Sequence, residues 1–254
     1  MDILSVLFRW FHVVAGILWI GFAFFFNFVQ FPVFAALDRE TVKKVIPEFV
    51  PRGLFWARWA AVVTWVTGIV LLIFIFYVGG LMADESGVQE WGFWKSVITL
   101  LVVFALAYAY DLLARSPLGS NQKLFAIVGF ILIGAVTCGF IEIGGFGYRA
   151  YVIHMGALFG TIMIMNGWMR ILPTTKKIIS AVKEGAAPDP ALLAVAATRS
   201  KHVVYLSVPL VWTMINAHTA TPAADSWLYL LGVTLIGWLV VAWIYKLVGK
   251  VKGP

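Results

Sequence analysis

The chain contains seven stretches of about twenty mostly apolar residues, each long enough to cross the hydrocarbon core of a bilayer as an α-helix. Hydrophobic residues make up 62% of the 254 positions and charged residues only 12%, about half the charged share of an ordinary soluble domain. The sequence therefore predicts an all-α fold, a polytopic membrane helix bundle. The predicted spans are Phe8–Phe31, Phe55–Val78, Trp94–Leu113, Leu124–Ile143, Tyr151–Leu172, Val203–His218 and Trp227–Leu247.

The basic residues predict the orientation of this bundle. With seven spans, sixteen of the 19 Lys and Arg residues fall on one side of the membrane. The other side keeps only Arg9, Lys95 and Arg149. By the positive-inside rule the basic side is cytoplasmic, which puts the N-terminus outside and the C-terminus inside in the cytoplasmic (inner) membrane. Because this topology explains the net charge of +7, nucleic acid is not an expected partner.

The connections between spans indicate one membrane domain over residues 1–254. The longest connection, Pro173–Lys201, is predicted to be cytoplasmic and to carry two short helices, Thr174–Glu184 and Ala191–Ser200. A breaker sequence, GAAPDP, separates the two helices. The sixth span is the shortest and contains Pro209, which predicts a kink or local unwinding there.

All four histidines lie within or at the ends of predicted spans, where ionisable groups are costly and mark functional sites by default. His12, His154 and His218 share the predicted outer side, on the first, fifth and sixth spans. His202 alone lies at the cytoplasmic end, where an interfacial role is favoured. Three imidazoles from three helices at one depth form a geometry for a metal or a haem iron.

The residues on one face of the first span support the haem hypothesis. Small and polar residues on one stripe of a membrane helix point into the bundle. We expect Gly16 to leave room for a flat macrocycle and Arg9 to pair with a propionate. Since Cys138 is the only cysteine, the chain lacks a CxxCH motif, and haem b would be held non-covalently by two of the three outer histidines. The stripe consists of Arg9, His12, Gly16, Trp19, Ala23, Asn27 and Gln30.

Plainer interpretations remain open for several of these residues. His12 and His154 are also explained as structural histidines, bonded for instance to a backbone carbonyl, and His218 as a surface or interfacial residue. Asn27 and Gln30 are more typical of interhelical hydrogen bonds than of a binding site. A GxxxG pair in the fifth span, Gly156 and Gly160, is predicted to seat a neighbouring helix.

Three sequence blocks cover the histidines: RWFHVVAGILWIGFAFFF (Arg9–Phe26), HMGALFGTIMIMNGWMRILPTTKK (His154–Lys177) and RSKHVVYLSVPLVWTMINAH (Arg199–His218). Together they resemble the membrane domain of the cytochrome-c-coupled urate oxidase family. That family commonly carries a following cytochrome c domain, and because no CxxCH motif occurs in these 254 residues, we do not expect that domain here. The resemblance therefore implies electron exchange with a separate protein. The opening is also similar to copper-resistance membrane proteins and to the membrane protoporphyrinogen oxidase family.

Three functions follow as hypotheses. The first is a b-type haem electron-transfer protein of the lipid bilayer, with a bis-histidine haem near the outer face. It would pass electrons between a quinone or membrane redox enzyme and an external acceptor such as periplasmic cytochrome c. The second, implied by the resemblance, is a membrane oxidoreductase that acts on urate or a similar small substrate. The third is a metal-handling permease. A homo-oligomer is compatible with all three.

Overall fold

A computed structural model describes residues 3–82, 93–217 and 226–251. Within these ranges the chain forms helices and contains no strand. Six of the long helices, α1–α5 and α7, are long and apolar enough to cross a membrane, and the predicted helical membrane bundle is confirmed. The long helices are α1 Ile3–Ala36, α2 Arg39–Val78, α3 Phe93–Arg115, α4 Gln122–Glu142, α5 Tyr148–Lys183, α6 Pro190–Asn216 and α7 Trp227–Val248. A short helix, Pro117–Ser120, lies between α3 and α4.

The predicted sixth span forms the second half of α6. This helix has 27 residues, which corresponds to about 40 Å, and its first half carries Arg199 and Lys201. The short helix predicted over Ala191–Ser200 is thus continuous with the span that follows it. The helix also runs without interruption through Pro209, so of the two predicted alternatives the local unwinding does not occur, and the kink stays a prediction. Close packing of Val208 and Pro209 on Gly237 of α7 supports the helix at this point.

The centre of the bundle is α5. In its most apolar window 56% of the residues are buried, against 17% in α1. It packs closely on α6 because Gly156 has no side chain: a Cβ there would lie 2.9 Å from Cε of Met214 and 3.2 Å from Cβ of Thr213. A Cβ on Gly160 would lie 3.9 Å from Leu210. The prediction that this pair seats a neighbouring helix is confirmed.

Large apolar side chains cover the outside of the bundle. In a soluble protein such a continuous apolar surface would cause aggregation, whereas here it meets lipid. Exposed examples from four helices are Ile17, Leu101, Ile131 and Ile236, each with an exposed fraction of 60–69%. The bilayer is therefore the environment of this protein.

Three of the helices contain a π-helical turn: Phe26–Gln30 in α1, Leu72–Val78 in α2 and Asn166–Ile171 in α5. Turns of this kind are frequent at functional sites, because the extra residue redirects side chains into the interior. The first turn buries Asn27 and Gln30, and the third buries Asn166.

The buried Asn27 joins three helices. Its amide donates to the Ser200 hydroxyl of α6 at 2.7 Å and accepts from the Tyr245 hydroxyl of α7 at 2.9 Å. This confirms the interhelical interpretation of Asn27. The amide oxygen of Gln30 is buried and has no hydrogen-bond partner among the residues that the structure describes.

Candidate functional site

We call the end of the bundle that carries Ile3 the outer end, following the orientation that the charges predict. His12 lies in this half, in the seam between α1 and α2. Its Nδ1 is 2.8 Å from the carbonyl oxygen of Thr64 and 3.1 Å from the hydroxyl of Thr67. Since the carbonyl only accepts, Nδ1 carries the proton and Nε2 keeps its lone pair. Gly68 makes room for the ring, because a Cβ there would lie 2.9 Å from its Cε1.

The neighbours of His12 on the predicted stripe also face the bundle. A Cβ on Gly16 would lie 3.6 Å from the methyl group of Thr64, so α2 packs directly opposite this glycine. One turn toward the outer end, Nε of Arg9 is buried without a hydrogen-bond partner among the described residues. Trp19 is buried and lines a cavity on the inner side of His12.

His154 is completely buried near the outer end of α5, at 0% exposure. Its Nδ1 donates to the carbonyl of Ala150 at 2.7 Å, and its Nε2 accepts from the hydroxyl of Tyr77 at 2.8 Å. The rings of Phe146 and Phe140 pack against the imidazole at 4.8 and 5.9 Å between centroids. Both ring nitrogens are therefore engaged within the protein, and Nε2 becomes available to a ligand only when Tyr77 turns away.

The two outer histidines contact different parts of α2. His12 contacts Thr64 and Gly68, whereas His154 contacts Tyr77, nine residues further along, which corresponds to about 13 Å of helix. The third predicted ligand, His218, lies outside the described residues. Within the described part of the chain, no group of three or more His, Cys, Asp or Glu side chains gathers as a metal site.

A charged cluster lies at the opposite, inner end and was missed from the sequence. Asp111 of α3 is 3% exposed and faces three arginines. Arg170 donates through Nε to Oδ1 at 2.9 Å and through Nη2 to Oδ2. Arg115 and Arg199 lie 3.2 and 3.3 Å from the carboxylate. Arg199, itself 4% exposed, also donates to the amide oxygen of Asn166 at 3.2 Å.

A chain of hydrogen bonds extends from this cluster to His202. The Asn166 amide donates to the hydroxyl of Tyr110 at 3.1 Å, and that hydroxyl donates to Nδ1 of His202 at 2.6 Å. Nε2 of His202 donates to the side chain of Gln122 at 2.9 Å. The imidazole also stacks on Phe125 at 5.0 Å. His202 is thus more enclosed than the interfacial role favoured from the sequence implies, and it joins α3, α4 and α6.

One signal for this cluster was present in the sequence. Asp111 is the only acidic residue within the predicted span Trp94–Leu113, and a carboxylate in a span requires a partner. The arginines that bind it were counted only as markers of the cytoplasmic side. Charge counting gives a topology, and it does not reveal that three of the counted groups converge on one carboxylate.

Comparison with known proteins assigns a family. Residues 37–252 match the family described as Urate oxidase N-terminal, a range that contains α2–α7 and the sequence blocks around His154 and His202. The block Arg9–Phe26, which carries His12, lies before the matched range. No curated protein and no solved structure matches the chain. Because the match covers most of the chain, as the resemblance implied, this protein belongs to the urate oxidase N-terminal family.

Proposed function

We propose that the protein is an integral membrane redox protein that holds a non-covalent b-type haem in the outer half of the bundle, with His12 as one axial ligand. The observation that carries this proposal is the orientation of His12. A hydrogen bond from Nδ1 to a backbone carbonyl is the usual support of a metal-binding imidazole, because it fixes the tautomer and directs the Nε2 lone pair to the metal. The contact with Thr64 supplies this bond.

The same hydrogen bond would also hold a purely structural histidine, so the haem proposal needs support from other residues of the site. The buried Nε of Arg9, without a partner among the described residues, fits a nearby anionic group such as a haem propionate. The second imidazole that would hold the iron is that of His218 or, after rotation of Tyr77, that of His154. In the structure His154 cannot bind an iron through Nε2, because this nitrogen accepts a hydrogen bond from the hydroxyl of Tyr77.

A bis-imidazole haem in a low-dielectric interior takes up and releases single electrons. The residues of this chain would orient the imidazole through Thr64 and Thr67, and would exclude water through the packing of α1 on α2. A site in the outer half lies within reach of an external carrier such as periplasmic cytochrome c. Its membrane-side partner would be a quinone or a membrane redox enzyme.

The haem proposal is tested by the optical spectrum of the protein purified from cells supplied with haem. We expect a Soret band that shifts on reduction. His12, His154 and His218 are each replaced by alanine in separate variants. The band should be lost in the two variants that lack a ligand and should remain in the third variant. His202→Ala is the matched control and should keep the band. Size-exclusion profiles show that each variant folds. A wild-type protein without a Soret band would rule out this proposal.

A second candidate function is the oxidation of urate or a similar small substrate with a separate electron acceptor. The family match favours it. Purified protein in detergent, mixed with urate and oxidised cytochrome c, should then reduce the cytochrome, and His12→Ala should lower the rate by at least tenfold if electrons pass through the outer site. Equal rates with and without the protein would reject urate as the substrate under this acceptor.

A further inference from the structure

A cavity of about 70 Å³ lies between α1, α2, α5 and α6, on the inner side of His12. A cavity of about 150 Å³ accommodates a benzene ring, so this space admits one edge of a six-membered ring, and the rest of the ring would extend toward the exposed Trp168. The π-helical turn of α5 forms part of its wall. The apolar lining includes Trp19, Phe26, Met163, Gly167, Trp168 and Val203.

Two polar side chains in the lining offer donors, and neither has an acceptor among the described residues. The Nε of Arg58 is buried and has no hydrogen-bond partner there. Its guanidinium lies over the rings of Phe55 and Trp59, at 5.3 and 5.8 Å, and no described carboxylate pairs with it. The hydroxyl oxygen of Ser200 accepts from Asn27, which leaves its proton to donate into the cavity.

These features define the chemistry of a ligand. Buried donors without acceptors are costly, so the site favours a ligand with oxygen acceptors, and the positive charge of Arg58 favours electron-rich ones. The tryptophan walls suit a flat ring. Trp168, which is 36% exposed, brings the cavity to the lipid-facing surface, so that a ligand can enter from the bilayer.

We propose that this cavity binds the ring of a lipid-soluble quinone, whose carbonyl oxygens accept from Arg58 and Ser200. The role of this quinone site rests on the proposed redox function, because the quinone would be the membrane-side partner that exchanges electrons with the haem. Arg58 lies six residues before Thr64 on α2, about 9 Å along the helix. The quinone ring and the imidazole of His12 would therefore be neighbours.

The test is titration of the purified full chain in detergent with a short-tailed benzoquinone, monitored by tryptophan fluorescence. We expect saturable quenching, since Trp19 and Trp168 line the cavity. Arg58→Gln removes the positive charge and the Nε donor, and Ser200→Ala removes the hydroxyl donor, so each should weaken binding roughly tenfold. Gly167→Leu should abolish binding: a Cβ there meets nothing within 4 Å, so the larger side chain fills the cavity without a clash at its base.

Arg52→Gln is the matched control, because Arg52 lies on the same helix, outside this cavity, with 72% of its side chain exposed. It should bind the quinone as the wild type does. Unsaturable quenching of the wild type, or equal affinity in Gly167→Leu and wild type, would overturn the proposal, as would binding of urate without binding of quinone. Haem is not needed for this measurement. A Soret band without quinone binding therefore rejects only the cavity proposal, and quinone binding without a Soret band rejects only the haem.

Discussion

Asp111→Ala is expected to destabilise the bundle by about 3–5 kcal/mol, the cost of removing one partner from a buried ion pair. The carboxylate is 3% exposed and Arg199 is 4% exposed, so the substitution leaves a buried guanidinium without its counter-ion. Arg170 loses two hydrogen bonds at the same time. Three like charges would then face one another at the inner ends of α3, α5 and α6.

Thermal unfolding in detergent, followed by circular dichroism, measures this effect. Asp111→Asn should be intermediate, because the amide oxygen still accepts hydrogen bonds although the charge is lost. The control is Glu48→Ala, which breaks an exposed pair with Arg52 at 2.7 Å and should change the unfolding temperature little. If Asp111→Ala unfolds at the same temperature as this control, water or lipid must solvate the arginines, and the cluster does not hold the helices together.

The sequence predicted the positions of the helices along the chain better than it predicted which helices pack against each other. Apolar runs indicate spans because lipid leaves the backbone no other way to satisfy its hydrogen bonds. The stripe on α1 indicated which face turns inward, and Trp19, Ala23, Asn27 and Gln30 are indeed buried. A stripe does not reveal which helix it meets, however. Thr64, Thr67 and Gly68, which contact His12, therefore could not be found from the sequence.

The same reason explains what was missed around the other histidines. Tyr77 and Tyr110 lie 77 and 92 positions from the imidazoles that they contact, and no local pattern links residues so far apart. The prediction that His12 shares one haem with either His154 or His218 stays a prediction. The structure adds that their rings contact α2 at two places, so Tyr77 must move, or His218 must serve, before two imidazoles can hold one iron.

Gly156→Ala is expected to destabilise the bundle by about 1–3 kcal/mol, the usual cost of overpacking a close contact. The new methyl group would meet the Thr213 hydroxyl, and Cε of Met214 at 2.9 Å. Met214 can move, because its side chain is flexible. Thr213 cannot, since it is completely buried, β-branched and bonded to the carbonyl of Leu210 at 2.7 Å. The substitution therefore pushes α5 away from α6.

Gly160→Ala is the matched control, one helical turn away in the same seam. Its new Cβ would lie 3.9 Å from Leu210, an ordinary van der Waals contact, and alanine favours the helix. We therefore expect unchanged or slightly higher stability in the same unfolding measurement. Equal losses from both substitutions would mean that the two helices approach each other equally closely at both glycines. If both substitutions leave the stability unchanged, α6 is free to shift relative to α5. The contact at Gly156 then does not set the position of α5 or of His154, which lies on α5.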